Sequence, residues 1–231
     1  MVQEPSNTES ISTLKPTSIE KILAYARLFQ YKAGQTIFFE GLDCAGLFIV
    51  KEGMVRIYRI SPEGRMHTLG LLKPPASFNE VAAVDGQINP YNAVAVTQAQ
   101  IYRLNHLELN SLLAKDDQLM VNYLQMLAHL NREYIERLED MTFRSIPSRI
   151  AKLLLHEASY ADQIAGAPTK LTQQEMASIL GTTREVVGRA LRGLLNAGLL
   201  KRKGRELYIV DRMGLEHLAL TNLMPEIENH P

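Results

Sequence analysis

The stretch Leu171–Arg205, LTQQEMASILGTTREVVGRALRGLLNAGLLKRKGR, decides how the rest of the chain is read. Thr172 followed by Glu175 forms a capping box, in which each side chain satisfies a backbone donor left unpaired at a helix start. Ala177, Ile179 and Leu180 give this first helix an apolar side, and Gly181 can supply the left-handed conformation that ends it. Thr182 or Thr183 can cap a second helix, on which Val186, Val187, Ala190, Leu191, Leu194 and Leu195 recur at helical spacing. Arg184, Glu185 and Arg189 are left on its outward, N-terminal side. Arginine can donate two bonds to guanine O6 and N7, and glutamate can accept from cytosine N4. A second helix presenting its N-terminal residues to a major groove is how helix-turn-helix proteins read sequence. The plain alternative is a charged face on an ordinary helix pair, with Glu185 spent on capping beside Thr182.

The residues that follow favour the nucleic-acid reading. Leu199–Arg202 and Glu206–Val210 are expected as two strands joined by Lys203-Gly204-Arg205, a wing beside the reading helix. Lys201, Arg202, Lys203 and Arg205 are candidate phosphate contacts, which orient a protein without reading sequence. Charge agrees: residues 144–220 carry 12 Lys and Arg against 7 Asp and Glu, a net +5, although the whole chain is neutral. A basic module on an acidic remainder fits a nucleic-acid-binding part attached to something else.

The 231 residues, 46% of them hydrophobic, suffice for two ordinary domains. No apolar run approaches the ~20 residues of a membrane span. The start, MVQEPSNTES, lacks the basic-then-apolar order of a secretory signal, so a cytoplasmic protein is expected. Cys44 is the single cysteine, which excludes a cysteine-ligated iron–sulfur or zinc cluster within one chain. No nucleophile–base pair, carboxylate pair or phosphate-cradling glycine loop stands at a usable spacing, so no catalytic residue is assigned and an enzyme is not expected.

Ahead of the helix pair, a short helix is expected from about Ser18 to Phe29. From Tyr31 to about Arg103 come short strands: Thr36–Phe39, Gly46–Val50, Val55–Ile60, His67–Leu72, Ala93–Thr97 and Gln100–Leu104. Glycines fall between them and SPEG, Ser61 to Gly64, marks a turn. Strands at this spacing predict a sandwich or barrel, and small barrels often hold ligands. One long helix is expected from His106 to Thr142. On it Met120, Leu124, Leu127, Asn131, Tyr134, Leu138 and Met141 alternate steps of four and three, a heptad seam for a second copy of the chain. Leu119, Tyr123, Met126 and Leu130 make a second stripe that can pack on the chain's own barrel. Ser145-Ile146-Pro147 interrupts the helix as a plausible hinge, and residues 148–165 form another helix.

The order barrel, long helix, winged helix-turn-helix resembles the cyclic-AMP receptor protein/FNR superfamily of bacterial transcription regulators over about residues 18–220. Its most specific part is Arg184-Glu185-Val186-Val187-Gly188-Arg189, similar to the RExxGR recognition helix of the cyclic-AMP receptor branch. The resemblance implies that Arg184, Glu185 and Arg189 read bases and that Thr172, Gln173 and Thr183 lie along the DNA backbone. Gly188 stands where the FNR pattern has serine, which implies TGTGA-like rather than TTGAT-like half-sites. The implied fold is α+β: a flexible N-terminus (1–17), a β-roll resembling the cyclic-nucleotide-binding jelly roll (18–105), a dimerisation helix and hinge (106–144), a winged helix-turn-helix (145–221) and a tail (222–231). Implied partners are double-stranded DNA, a second copy and RNA polymerase, with no membrane.

Gly34, Glu40-Gly41, Gly53 and Gly64 match the family's turn glycines, and Ser77-Phe78-Asn79-Glu80 resembles its FxGE segment. The effector cassette departs from the pattern. Asn79 replaces the glycine before Glu80, and Tyr91 and Asn92 stand where an Arg-Ser pair grips a cyclic phosphate. Without its arginine a buried phosphate loses its charge partner and a bidentate bond, which argues against a cyclic nucleotide. Haem remains open, since some relatives sense gases such as NO or CO through it and His67, His106, His129 and several methionines are conceivable axial ligands. No metal site is assigned and the effector stays unknown. From a different class, the rival is a ligand-binding module whose winged part contacts proteins.

Overall fold

Leu47–Val50, the run LFIV, is buried at every position, and that explains the layering of the N-terminal half. Successive strand side chains point to opposite faces, so a strand buried throughout has neighbours on both. Phe48 and Val50 join one core with Phe38, Val55, Ile57, Phe78 and Ile101. Leu47 and Ile49 join another with Ile22, Leu109, Leu119 and Tyr123. The computed structural model describes residues 14–161, 171–204 and 206–224. Most of the expected N-terminal lead-in and tail, residues 162–165 of the expected helix, and Arg205 lie outside the described residues. The described residues divide into two compact units, one of residues up to 136 and one of residues from 137 onward.

In the first unit α1 (Pro16–Leu23) leads into β1 (Arg27–Tyr31), β2 (Thr36–Phe38), β3 (Leu47–Glu52), β4 (Val55–Ile60), β5 (Met66–Leu72), β6 (Ser77–Phe78), α2 (Glu80–Asp85), β7 (Asn92–Ala95) and β8 (Ala99–Leu104). The strands form two four-stranded sheets, in the orders β1-β8-β3-β6 and β2-β7-β4-β5. Every described pairing is antiparallel. The expected barrel is therefore a roll of two sheets around one apolar core. The SPEG turn closes the β4–β5 hairpin: the Gly64 N–H donates to Ser61 O and the Ser61 N–H to Arg65 O, both at 2.8 Å.

Two sequence expectations are corrected here. The first helix ends at Leu23, and Leu28 and Phe29 lie in β1, where Arg27–Tyr31 pairs with Ala99–Arg103. A partner strand some seventy residues away outweighs local helical periodicity, and Phe29 and Tyr31 are residue types that suit a sheet. The single long helix is two, α3 (His106–Leu113) and α4 (Asp117–Phe143). Asp116 makes the break, its Oδ1 accepting the Leu119 N–H at 2.9 Å as a cap for the new helix.

Along the 27 residues of α4 both apolar stripes are realised. Leu119, Tyr123, Met126 and Leu130 are buried in the unit's own cores. Met120, Leu124, Tyr134, Leu138 and Met141 are exposed, as is Asn131, while Leu127 is half-buried beside the cores. No helix among the described residues is long and apolar enough to cross a membrane.

The second unit contains α5 (Ile146–Ala161), α6 (Gln173–Leu180), α7 (Arg184–Asn196), β9 (Leu200–Lys203), β10 (Glu206–Ile209) and α8 (Arg212–Thr221), around a core of Ile150, Leu154, Met176, Val187, Leu191, Leu194, Leu207 and Leu215. The expected interruption at Ser145-Ile146-Pro147 is corrected: the break between helices is residues 144–145, and Ile146 and Pro147 open α5, where a proline in the first turn costs no helical bond. The break is well tied. Asp140 accepts from Arg144 Nε and Lys152 Nζ, each at 2.6 Å. Asn222, the left-handed cap of α8, accepts the Ser145 N–H at 2.8 Å.

Candidate nucleic-acid interface and effector cassette

The helix pair is built by its caps. Thr172 Oγ1 accepts the Glu175 N–H at 3.2 Å, and Glu175 Oε2 accepts the Thr172 N–H at 2.8 Å. Gly181, at φ +63°, takes the left-handed conformation that turns the chain out of α6. Of the two threonines that follow, Thr183 caps α7, its Oγ1 accepting the Val186 N–H at 3.4 Å. A guanidinium of Arg149 donates to the Leu180 carbonyl and closes the far end of α6.

This leaves Arg184, Glu185 and Arg189 exposed while Val187, Leu191 and Leu194 are buried. Arg192 was missed by the sequence reading. It is exposed three residues beyond Arg189 and seven beyond Glu185, so the three share one helical face. The spacing was there to be seen, but the motif stops at Arg189. Glu185 is held below the usual carboxylate range by its own backbone N–H and by the Thr183 hydroxyl, so it is an ionised acceptor at neutral pH. Gly188 is buried: a Cβ there would stand 3.4 Å from Gln173 Oε1. The Gln173 side chain, from the start of α6, thus lies against the middle of α7.

In the wing, register separates residues that the sequence grouped together. Lys203 pairs with Glu206, Arg202 with Leu207 and Lys201 with Tyr208. Lys201 and Lys203 therefore share one face of the hairpin with Tyr208, and Arg202 shares the other with Leu207. Lys203 Nζ stands 5.3 Å from the Tyr208 ring centroid, and Tyr208 Oη donates to Glu206 Oε2 at 2.6 Å. At the start of α6, Thr172 is exposed and Gln173 half-exposed.

The three cassette residues, Glu80, Tyr91 and Asn92, are all buried and bonded to the protein itself. Asn79 adopts φ +67°, a left-handed conformation that asparagine tolerates better than most residues. Its N–H donates to Tyr91 Oη at 2.6 Å, and its Nδ2 to Gly46 O at 2.9 Å and Asn89 Oδ1 at 3.0 Å. The Tyr91 ring packs 5.9 Å from Phe38, which also touches Phe48 and Phe78. Asn92 Oδ1 accepts the Glu40 N–H at 3.1 Å, and the Glu40 carboxylate pairs with Arg59. Glu80 accepts from Ser77 Oγ at 2.6 Å, and burial pushes its carboxyl up to about 7. The Ser77–Glu80 bond is local, but Asn79–Gly46 and Asn92–Glu40 join loops far apart in the chain, and those pairings were not legible in the sequence.

The histidines considered as haem ligands stand apart in the fold, His67 on β5, His106 at the start of α3 and His129 on α4. His129 Nε2 is 3.2 Å from Glu133 Oε1. Among the described residues no group of three or more His, Cys, Asp or Glu is placed to hold a metal ion.

A two-sheet roll, a long helix with an outward apolar stripe and a winged helix pair define a two-module helix-turn-helix regulator. Comparison with known proteins names the family. Residues 28–116 match the cyclic nucleotide-binding domain and residues 148–218 the Crp-like helix-turn-helix domain. The CRP-like cAMP-activated global transcriptional regulator of Mycobacterium tuberculosis is 29% identical over 210 residues, covering 89% of this chain and 94% of that protein. The cyclic AMP receptor protein of Thermus thermophilus is 28% identical over 206 residues, with the same coverage of 89% and 94%. A solved CRP/FNR-family transcriptional regulator, also from Thermus thermophilus, superposes with a TM-score of 0.69 at 26% identity, covering 84% of this chain and 98% of that one. The c-di-GMP responsive global regulator of Xanthomonas campestris shares the fold, with a TM-score of 0.73 at 20% identity over 85% of this chain and all of that one. The chain belongs to the Crp/Fnr superfamily and is a CRP-like transcription regulator with a helix-turn-helix DNA-binding domain.

Proposed function

We propose that this chain works in the cytoplasm as a homodimeric, sequence-specific regulator that reads TGTGA-like half-sites and acts on transcription through RNA polymerase. The observation that carries the reading is α7: a capped helix, buried along one side, that leaves Arg184, Glu185 and Arg189 exposed on the other. Arg184 and Arg189 suit guanine edges and Glu185 suits cytosine N4. Lys201, Lys203 and Arg192 supply phosphate contacts around them, with Thr172, Gln173 and Thr183 at the helix starts. The exposed stripe on α4 supports the dimer, because Met120, Leu124, Leu138 and Met141 present large apolar side chains along one helical face.

The effector is neither a cyclic nucleotide nor an iron–sulfur cluster. Tyr91 brings a phenol where a cyclic phosphate needs a cation, and its hydroxyl is already bonded to the Asn79 N–H. The cassette residues do not fit a cyclic phosphate. An effector of another kind would act by biasing α4 and the break at residues 144–145, and with them the spacing of two reading helices.

Selection from a random-sequence duplex pool tests the operator directly. A palindrome of TGTGA half-sites about one helical turn apart, ~34 Å, is expected. Recovery of another consensus would discard the assignment of base readers.

A further inference from the structure

Glu80 is a buried acid set among neutral groups. It is 3% exposed and opens α2 directly after the left-handed Asn79. From β6 it faces the Ser77 hydroxyl, from its own element its backbone N–H, from the segment before β7 the Tyr91 phenol and from α4 the Tyr123 phenol. Beyond Tyr123 lies the Cys44 thiol, which in turn neighbours Asp85 and Arg103. Among the described residues, no lysine or arginine is one of the groups that act on Glu80 itself. A carboxylate taken out of water without a cation disfavours its charged form, in agreement with the value near 7.

Its backbone gives this acid mechanical reach. The Tyr123 hydroxyl donates to the main-chain oxygen of Glu80 at 3.0 Å. The residue that would gain a charge is therefore the residue through which α2 is bonded to α4. One residue beyond Tyr123, Leu124 lies on the exposed stripe.

We propose that Glu80 is a proton-operated coupling between the β-roll and the α4 seam. Protonated, it stays seated beneath Ser77 and holds the carbonyl that Tyr123 uses. When it ionises, the proton goes to solvent and the carboxylate is drawn toward water. The β6–α2 junction then shifts, and the Tyr123 bond that fixes α4 is strained or lost. Dimer affinity, and DNA affinity with it, falls as pH rises through neutrality. The inference rests on the homodimer reading but not on the operator sequence.

Sedimentation velocity of the full chain from pH 5.5 to 8.5 at constant ionic strength tests the coupling, with difference infrared spectroscopy following the protonated carboxyl band. The wild-type dimer dissociation constant is expected to rise by about tenfold or more between pH 6 and pH 8, since each unit of difference between coupled pKa values changes an equilibrium about tenfold. The carboxyl band is lost with a midpoint near 7. Glu80→Gln flattens the dimer profile and removes the band. Tyr123→Phe keeps the band and flattens the profile. His129→Gln keeps both, which separates Glu80 from the one histidine on α4. Should Glu80→Gln fail to fold, Ser77→Ala serves instead: losing the bond that favours the charged form moves both midpoints upward. A wild-type pH profile in Glu80→Gln, an unmoved midpoint in Ser77→Ala, or flattening by His129→Gln overturns the inference while leaving the dimer standing. A monomer at every pH overturns both.

Discussion

Leu124 offers the sharpest test of the seam. It is 57% exposed on α4 and belongs to the outward stripe. Leu124→Ala removes three carbons, each worth ~0.8 kcal/mol when fully buried, so the exposed share amounts to about 1.4 kcal/mol per copy. An isologous contact counts the change once on each subunit, for a total of about 3 kcal/mol, or about a hundredfold in the dimer dissociation constant. Sedimentation equilibrium measures this directly. Stability of the dilute monomer should hold within ~0.5 kcal/mol, because the side chain is exposed there. Leu130→Ala is the control with the opposite signature: Leu130 is 3% exposed in the unit's own core, and its truncation costs about 2–5 kcal/mol of stability. An unchanged dissociation constant for Leu124→Ala would refute the seam.

Three further outcomes follow from single residues. Thr172→Ala should cost about 1 kcal/mol of stability through the lost cap, measured by urea denaturation of the full chain, with a larger proportional loss of DNA affinity because Thr172 also lies beside the reading helix. Arg192→Ala should weaken binding to specific and scrambled duplexes equally and lower the salt slope by about one; loss confined to the specific duplex would make it a base reader. For Glu80 the folded pKa is raised to about 7, so the folded form holds a proton that the unfolded chain releases. Its stabilising contribution is complete on the acid side of the unfolded pKa and is lost as pH rises toward 7, by up to about 3 kcal/mol. Chemical denaturation at pH 5 and pH 8 should show that fall in the wild type and not in Glu80→Gln.

What could be read from the sequence was local. The capping box at Thr172, the turn glycine Gly181 and the outward Arg184, Glu185 and Arg189 are each decided by residues within one or two helical turns, and all stand as expected. The two stripes of α4 were legible for the same reason. What escaped depended on distant partners. β1 exists because β8 pairs with it, and α8 needs the core beneath Leu215 and Leu218 before its pattern means anything. Asp116 was available as a cap, but the apolar pattern on either side of it read as continuous. In the cassette the family resemblance implied that Tyr91 stands where a cation is expected. It did not show that the same hydroxyl would accept the main-chain N–H of Asn79.

Fluorescence anisotropy with a palindromic TGTGA…TCACA duplex measures whether α7 reads a TGTGA-type sequence. Wild type and Arg189→Ala are titrated at two salt concentrations against that duplex, a scrambled one, and one altered at a single half-site position. A specific complex at least ~10³-fold tighter than the scrambled one and steeply weakened by salt is expected. Arg189→Ala should cost about 1–3 kcal/mol and lose discrimination at one base pair only. Equal affinity of the wild type for the palindrome and the scrambled duplex would contradict that reading of α7.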